Sequence, residues 1–107
     1  MKKRSLLLFS IVTLLTTTHV IAETKEVSQK GKAFSQDKLT VKVGDSVNFR
    51  NDDPFFHNVF SLSDASMFDL GSYPKGESKS VTFDQAGTVE VECAIHPSMQ
   101  MVVEVTP

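Results

Sequence analysis

Side chains able to do metal or redox chemistry fall in two short segments. One reads Cys93-Ala94-Ile95-His96-Pro97-Ser98-Met99 and the other Asn51-Asp52-Asp53-Pro54-Phe55-Phe56-His57-Asn58-Val59. Cys93 is the only cysteine, so no intramolecular disulfide can form. A lone thiol in an oxidising compartment is a liability unless something holds it, and a metal supplies that reason, since coordination deprotonates the thiol and occupies the sulfur. His96 and Met99 follow Cys93 at steps of three, on a loop short enough to wrap one ion. Pro97 stiffens that loop and biases His96 away from helical dihedrals. Two imidazoles, a thiolate and a weak axial thioether describe a blue-copper electron-transfer site. The thiolate favours Cu(I), imidazole tolerates both oxidation states, and a long thioether bond demands little when the metal changes charge.

These residues need a rigid frame, and the pattern along the chain is that of strands. Leu39, Val41 and Val43 alternate with polar residues, Gly44-Asp45 reads as a turn, and Val47 and Phe49 resume the alternation. Further runs hold Val59, then Val81 and Phe83, then Val89, Val91 and Cys93, and finally Met101, Val103 and Val105. Short period-two runs separated by Gly, Asp, Asn and Pro turns indicate an all-β sandwich or barrel. Cys93 then ends a strand on its inward parity. Ser63–Phe68 reads as one helical turn capped by Ser63, Tyr73–Gly76 as a turn, and Glu23–Lys25 as a loose lead-in. Phe34, Phe49 and Phe83 are expected in the core.

Residues 1–22 read differently. Met1-Lys2-Lys3-Arg4 is a positive start, Leu6–Leu15 is apolar, and a Thr-rich stretch ends at Val20-Ile21-Ala22. This is the pattern of a secretory signal peptide cleaved after Ala22, which places the mature protein in the periplasm. The apolar run is short for a membrane span, which takes about 20 apolar residues. The expected organisation is a signal peptide, 1–22, and one domain, 23–107, with no stable membrane association after cleavage. Removing residues 1–22 takes away three basic residues and no acidic one, so the net charge moves from −2 to −5. An acidic chain argues against nucleic acid as a partner. A core this small without disulfides must rely on a bound metal, oligomerisation or tight β packing.

The two segments resemble the cupredoxins, the plastocyanin, pseudoazurin and amicyanin group. Phe49–Phe60 is similar to that family's stretch through its first His ligand, including the Asn that follows it. Cys93-x-x-His96-x-x-Met99, with Pro97 after the His, is similar to the short ligand loop of amicyanin. The resemblance covers about Phe34 to Val105. It implies a Greek-key β-sandwich with one copper ion at one end, held by His57, Cys93, His96 and Met99. It also implies a monomeric one-electron carrier, not an enzyme, that shuttles between redox proteins such as a cytochrome or a copper or quinoprotein oxidoreductase. His96 would be the electron port and Asn58 would tie the two ligand loops together. The chain departs from the family where an aromatic often precedes the Cys (Val91, Glu92), where Ser or Thr often follows it (Ala94), and where Pro often precedes the second His (Ile95).

Alternatives stay open at several positions. Met101 lies five residues after His96, the plastocyanin spacing, and shares strand parity with Met99; the short-loop run favours Met99, leaving the other Met as core filler. Phe55 and Phe56 could shield copper, form a docking rim or simply pack in the core. Asp52-Asp53 and Glu90/Glu92 could form an acidic docking patch, with an ordinary solvated face preferred. A copper chaperone or buffer on the same fold is the competing function, lowered by the absence of Met-rich or His-rich tracts. A thiol enzyme using Cys93 with His96 as base lacks an orienting acid, and zinc could occupy the same donors.

Overall fold

A computed structural model of the chain describes residues 5, 7–15 and 21–107. The positive start at residues 1–4 and the Thr-rich stretch at 16–20 lie outside the described residues. Residues 7–15 carry no regular structure, and their large apolar side chains are exposed. No described helix is long and apolar enough to cross a membrane.

Eight strands make the domain: β1 (Thr24–Gln29), β2 (Lys38–Lys42), β3 (Ser46–Asn51), β4 (His57–Ser63), β5 (Ser66–Tyr73), β6 (Ser78–Thr82), β7 (Gly87–Glu92) and β8 (Gln100–Thr106). They form a three-stranded sheet, β1-β3-β6, and a five-stranded sheet, β2-β8-β7-β4-β5. The chain passes repeatedly between the sheets, and two pairs, β1 with β3 and β2 with β8, run parallel. The expected all-β sandwich is therefore present.

Side-chain alternation explains the packing. Val47 and Phe49 on β3, Val89 and Val91 on β7, and Met101, Val103 and Val105 on β8 all point into one core. Phe34 and Phe83 join it, Phe34 edge-on to Phe49 with ring centroids 6.1 Å apart. Each such buried side chain contributes roughly 1.5–3 kcal/mol. The inward parity of β7 carries on to Cys93, and that of β4 places His57 on the same face as Val59. Parity alone therefore delivers two donors to the interior end of the sandwich.

Three local expectations are corrected. Ser63–Phe68 is not a helical turn: Asp64-Ala65 joins β4 to β5 as a tight hairpin, with Ser63 opposite Ser66. Ser63 N donates to Ser61 Oγ, so the serines serve the strand and its turn instead of a cap. Glu23–Lys25 is not loose, because Glu23 O accepts from Ser46 N and β1 begins at Thr24. Val43 does not continue the alternation of Leu39 and Val41 and is exposed, since β2 ends at Lys42 and the chain turns through Gly44 at φ 95°.

Gly87 opens β7 at φ 147°, and a Cβ there would sit 2.8 Å from the Ala65 side chain at the β4–β5 turn. Gly87→Ala combines a clash with a backbone conformation that L residues avoid. The variant is expected to lose about 1–3 kcal/mol in a denaturant melt while keeping its far-ultraviolet spectrum.

Candidate metal centre

The site sits where the β3–β4 loop meets the β7–β8 loop. Asn51, at the end of β3, shapes the first loop. Its Nδ2 donates to the carbonyls of Phe55 (2.8 Å) and Tyr73 (2.9 Å), and its Oδ1 accepts from Asp53 N at 2.8 Å. Its backbone N donates to Glu77 O and its carbonyl accepts from Gly76 N. This fully buried amide is satisfied on every side, as burial demands. It delivers the chain to His57 in one conformation.

Asp53 then fixes the imidazole. Its carboxylate is buried and lies 2.7 Å from His57 Nε2. It also accepts from Gly31 N (2.7 Å) and Lys32 N (3.1 Å), in a turn where Lys32 takes φ 56°. Burial pushes the Asp53 carboxyl up. The hydrogen bonds from His57, Lys32 and Gly31 outweigh that effect and hold it below the usual carboxylate range. With Nε2 engaged by the carboxylate, His57 turns Nδ1 toward Cys93. Such an outer carboxylate sets tautomer and ring angle and raises the basicity of the inner nitrogen. Asp53 is therefore neither a solvated acid nor part of a docking patch. Its neighbour Asp52 is half-buried and accepts from Arg50 Nε at 2.8 Å.

Three donor atoms converge. His57 Nδ1 lies 3.8 Å from Cys93 Sγ, His96 Nδ1 lies 3.9 Å from it, and the two Nδ1 atoms are 3.2 Å apart. A point about 2.1 Å from all three atoms exists in their common plane, close to ordinary metal–nitrogen and metal–thiolate lengths of about 2.0–2.3 Å. The three residues therefore fit a metal ion without moving. Burial of the His96 ring, with His57 and then Lys32 adding to it electrostatically, holds that imidazole below its ordinary range, although Asp53 pulls the other way. That direction favours the neutral imidazole that a metal ion requires.

The β7–β8 hairpin places the two methionines differently. Val91 pairs with Met101 and Glu92 with Gln100, and Cys93 N donates to Met99 O at 3.3 Å. Extending the register by one pair sets Met99 opposite Cys93. Directly opposite side chains share a face and stand about 4.5–5.5 Å apart at Cβ. Met101 is two pairs deeper, against Val91 in the core. Met99 N donates to His96 O at 2.9 Å, which closes the loop. Met99 is 1% exposed.

The loops are also joined. Asn58 Oδ1 accepts from Ala94 N at 2.9 Å, so the residue after His57 holds the residue after Cys93. The missing hydroxyl at Ala94 is of no consequence to this link, which uses the backbone. Phe55 is half-buried, and its ring lies 5.2 Å from both imidazole centroids, so it covers the ligand edge. Phe56 is 55% exposed and does not belong to the core. Sequence reading missed Asp53 and Asn51 as site residues. The signal available was Asn51-x-Asp53, an Asx pair that can bond its own backbone where a strand ends.

A sandwich of this topology, with a thiolate and two imidazoles gathered at one end, is a copper-binding redox domain. A profile of copper-binding proteins of the plastocyanin/azurin family matches residues 21–106. The chain belongs to that family. Among solved structures, a proline-to-glycine variant of amicyanin in its reduced Cu(I) form at pH 4 is 29% identical, with TM-score 0.71 over 77% of this chain and 81% of that one. A reduced tryptophan-to-tyrosine amicyanin variant is 29% identical, with TM-score 0.72 over 80% and 85% of the two chains. A copper-containing nitrite reductase from Thermus scotoductus SA-01 shares the fold at 24% identity, with TM-score 0.73 over 84% of this chain and 23% of that one. No curated protein sequence is a significant match.

Proposed function

We propose that this protein is a one-electron carrier whose single copper ion is held by His57, Cys93 and His96, with Met99 as the weak axial ligand. The observation that carries this reading is the convergence of two Nδ1 atoms and one Sγ on a single ion-sized point. When bound, copper supplies the Cu(II)/Cu(I) couple. The chain's part is to keep the donors still. Asp53 and Asn51 fix His57, Asn58 fixes the Cys93 loop, and the register of β7 with β8 fixes Met99. Donors held this way change little between oxidation states, which keeps the reorganisation barrier low.

His96 is the proposed electron port. It lies on a loop whose residues Ala94, Ile95, Pro97 and Ser98 are exposed, while His57 is wholly buried. A partner protein that covers this loop meets the metal through one imidazole. The partners are proposed to be redox proteins such as a cytochrome or a copper or quinoprotein oxidoreductase, and no enzymatic turnover is proposed for the chain itself.

The proposed location is the periplasm, after cleavage between Ala22 and Glu23. Support comes from the exposed apolar run at 7–15, the exposed Ile21 and a first strand that begins only at Thr24.

An absorption spectrum with one equivalent of Cu(II), before and after ascorbate, tests the carrier reading. An intense thiolate-to-copper band that bleaches on reduction and returns on oxidation is expected. The exposed His96 loop also favours a second reading, copper delivery, which requires the reduced protein to release its copper to a chelator instead of returning to blue. The methionines separate in the same assay. Met99→Ala is expected to move the band and the potential, at a stability cost of about 2–5 kcal/mol because the side chain is buried. Met101→Ala is expected to leave both in place and to destabilise the chain by about 2–5 kcal/mol.

A further inference from the structure

At the far end of β1 from Gln29, the backbone N of Glu23 donates to Asp45 Oδ1 at 2.9 Å. Asp45 is buried, and its Oδ2 accepts from Lys42 N at 2.8 Å. Its own backbone is engaged as well, donating from N to Lys42 O and accepting at O from Phe83 N. The carboxylate is thus held rigidly at the β2–β3 turn with one oxygen aimed at Glu23. Glu23 O accepts from Ser46 N, so the Glu23 backbone is pinned on both sides. Nothing in the copper site uses Asp45.

We propose that Asp45 is the docking site for the α-ammonium group of the processed chain, so that cleavage itself tightens the fold. The proposal rests on the cut after Ala22. Water adds across the Ala22–Glu23 bond: Ala22 leaves as a carboxylate, and the Glu23 nitrogen gains protons and becomes an ammonium. The amide hydrogen bond to Asp45, charged until then only on the acceptor, becomes an ion pair with charge on both partners. The site is already built for a cation, because the Glu23 and Lys42 amides hold the Asp45 carboxyl below its usual range against the effect of burial. The other charged groups facing it are Lys25 on β1, Lys42 on β2 and the Glu23 side chain, all lining the same groove. Lys25 Nζ donates to Thr40 O at 2.7 Å. Ile21 lines this groove too and departs with the leader.

Among the described residues, Glu23–Pro107 holds all the strands and the whole buried core, so it carries the fold. Copper-loaded Glu23–Pro107 is compared with its α-N-acetyl form, each with Asp45 and with Asp45→Asn, by thermal melting at pH 6.5. The free amine is expected to melt at least ~4 °C above the acetylated chain, a typical response of a small domain to one added interaction. The gap is expected to close in Asp45→Asn and to close above the pKa of the docked ammonium. Equal melting of the two Asp45 forms, or a gap that persists in Asp45→Asn, overturns the proposal. Since Asp45→Asn also weakens the Lys42 bond, an NMR titration of the Glu23 α-amino group gives an independent reading. Ionisation above the ordinary value of about 7.7–8.0 is expected, and ionisation at or below it overturns the proposal. Mass spectrometry of the exported protein reads the cut separately. A first residue other than Glu23 overturns the processing reading and this role with it, whereas a start at Glu23 without coupling overturns the role alone.

Discussion

Cys93→Ser is expected to remove the intense visible band completely while leaving a folded protein. Serine has nearly the same shape, but Sγ already lies 3.8 and 3.9 Å from the two Nδ1 atoms and the C–O bond is shorter than C–S, so the buried hydroxyl reaches neither nitrogen without movement. The apo form is therefore expected to lose about 1–3 kcal/mol relative to the parent, the range for a buried polar group left without a partner. The metal behaviour changes far more. A hydroxyl is a hard, weakly acidic donor, and copper held by two imidazoles and a neutral oxygen lacks the soft anion that favours Cu(I). Cu(II) binding is expected to weaken, with a pale spectrum and no reversible bleaching by ascorbate. Titration with Cu(II) followed by absorption and electron paramagnetic resonance checks this. A surviving intense band would mean that the thiolate is not on the metal.

Asp53→Ala is expected to weaken copper binding by about 10–100-fold, the usual consequence of removing an outer partner of a ligating histidine. It leaves three donors without their acceptor: His57 Nε2, Gly31 N and Lys32 N. Apo stability is expected to fall by about 3 kcal/mol, since breaking a buried pair strands its partners. Asp53→Asn separates charge from shape. It keeps one acceptor oxygen and loses the anion, so it is expected to retain more affinity than the alanine variant. Its reduction potential should rise, because a negative charge near the metal favours Cu(II) over Cu(I). The two variants also differ from the parent in acid. The folded-state pKa of Asp53 is depressed, so its stabilisation is complete above the unfolded value near 3.9 and disappears as pH falls through the folded value. The parent's advantage over Asp53→Asn is therefore expected in full at pH 7 and should shrink as the pH falls below the unfolded value, as read from urea melts along an acid series. An advantage that persists unchanged in acid would show that the carboxylate charge contributes nothing.

The central part of this site was legible because it depends on parity and spacing. Val89, Val91 and Cys93 alternate visibly, and the loop to Met99 is contiguous. What sequence could not show depends on contacts across the fold. Asp53 sits in an acidic dipeptide that reads as surface, and only the turn at Gly31-Lys32, more than 20 residues upstream, makes it interior. Met99 and Met101 share parity, so only the pairing of β7 with β8 distinguishes them. β1 was missed because Val27 is its one aliphatic residue, and Gln29 is buried beneath the Tyr73 hydroxyl instead of facing water. In β5, Phe68 and Leu70 do alternate with Met67 and Asp69. Gly71 interrupts that run, and Ser-Asp-Ala-Ser ahead of it imitates a helix cap.

The parallel pairing of β2 with β8 has a consequence in time. Lys38–Lys42 finds its sheet partner only in Val102–Thr106, the last strand of the chain. No shorter, growing chain can assemble the five-stranded sheet, and closing so long a loop makes such topologies slow to fold. Cys93 and His57 are brought together by that same sheet. Until β8 has been made, β2 has no sheet partner and Met99 has no strand to hold it opposite Cys93, so the thiol of a growing chain is framed on one side only.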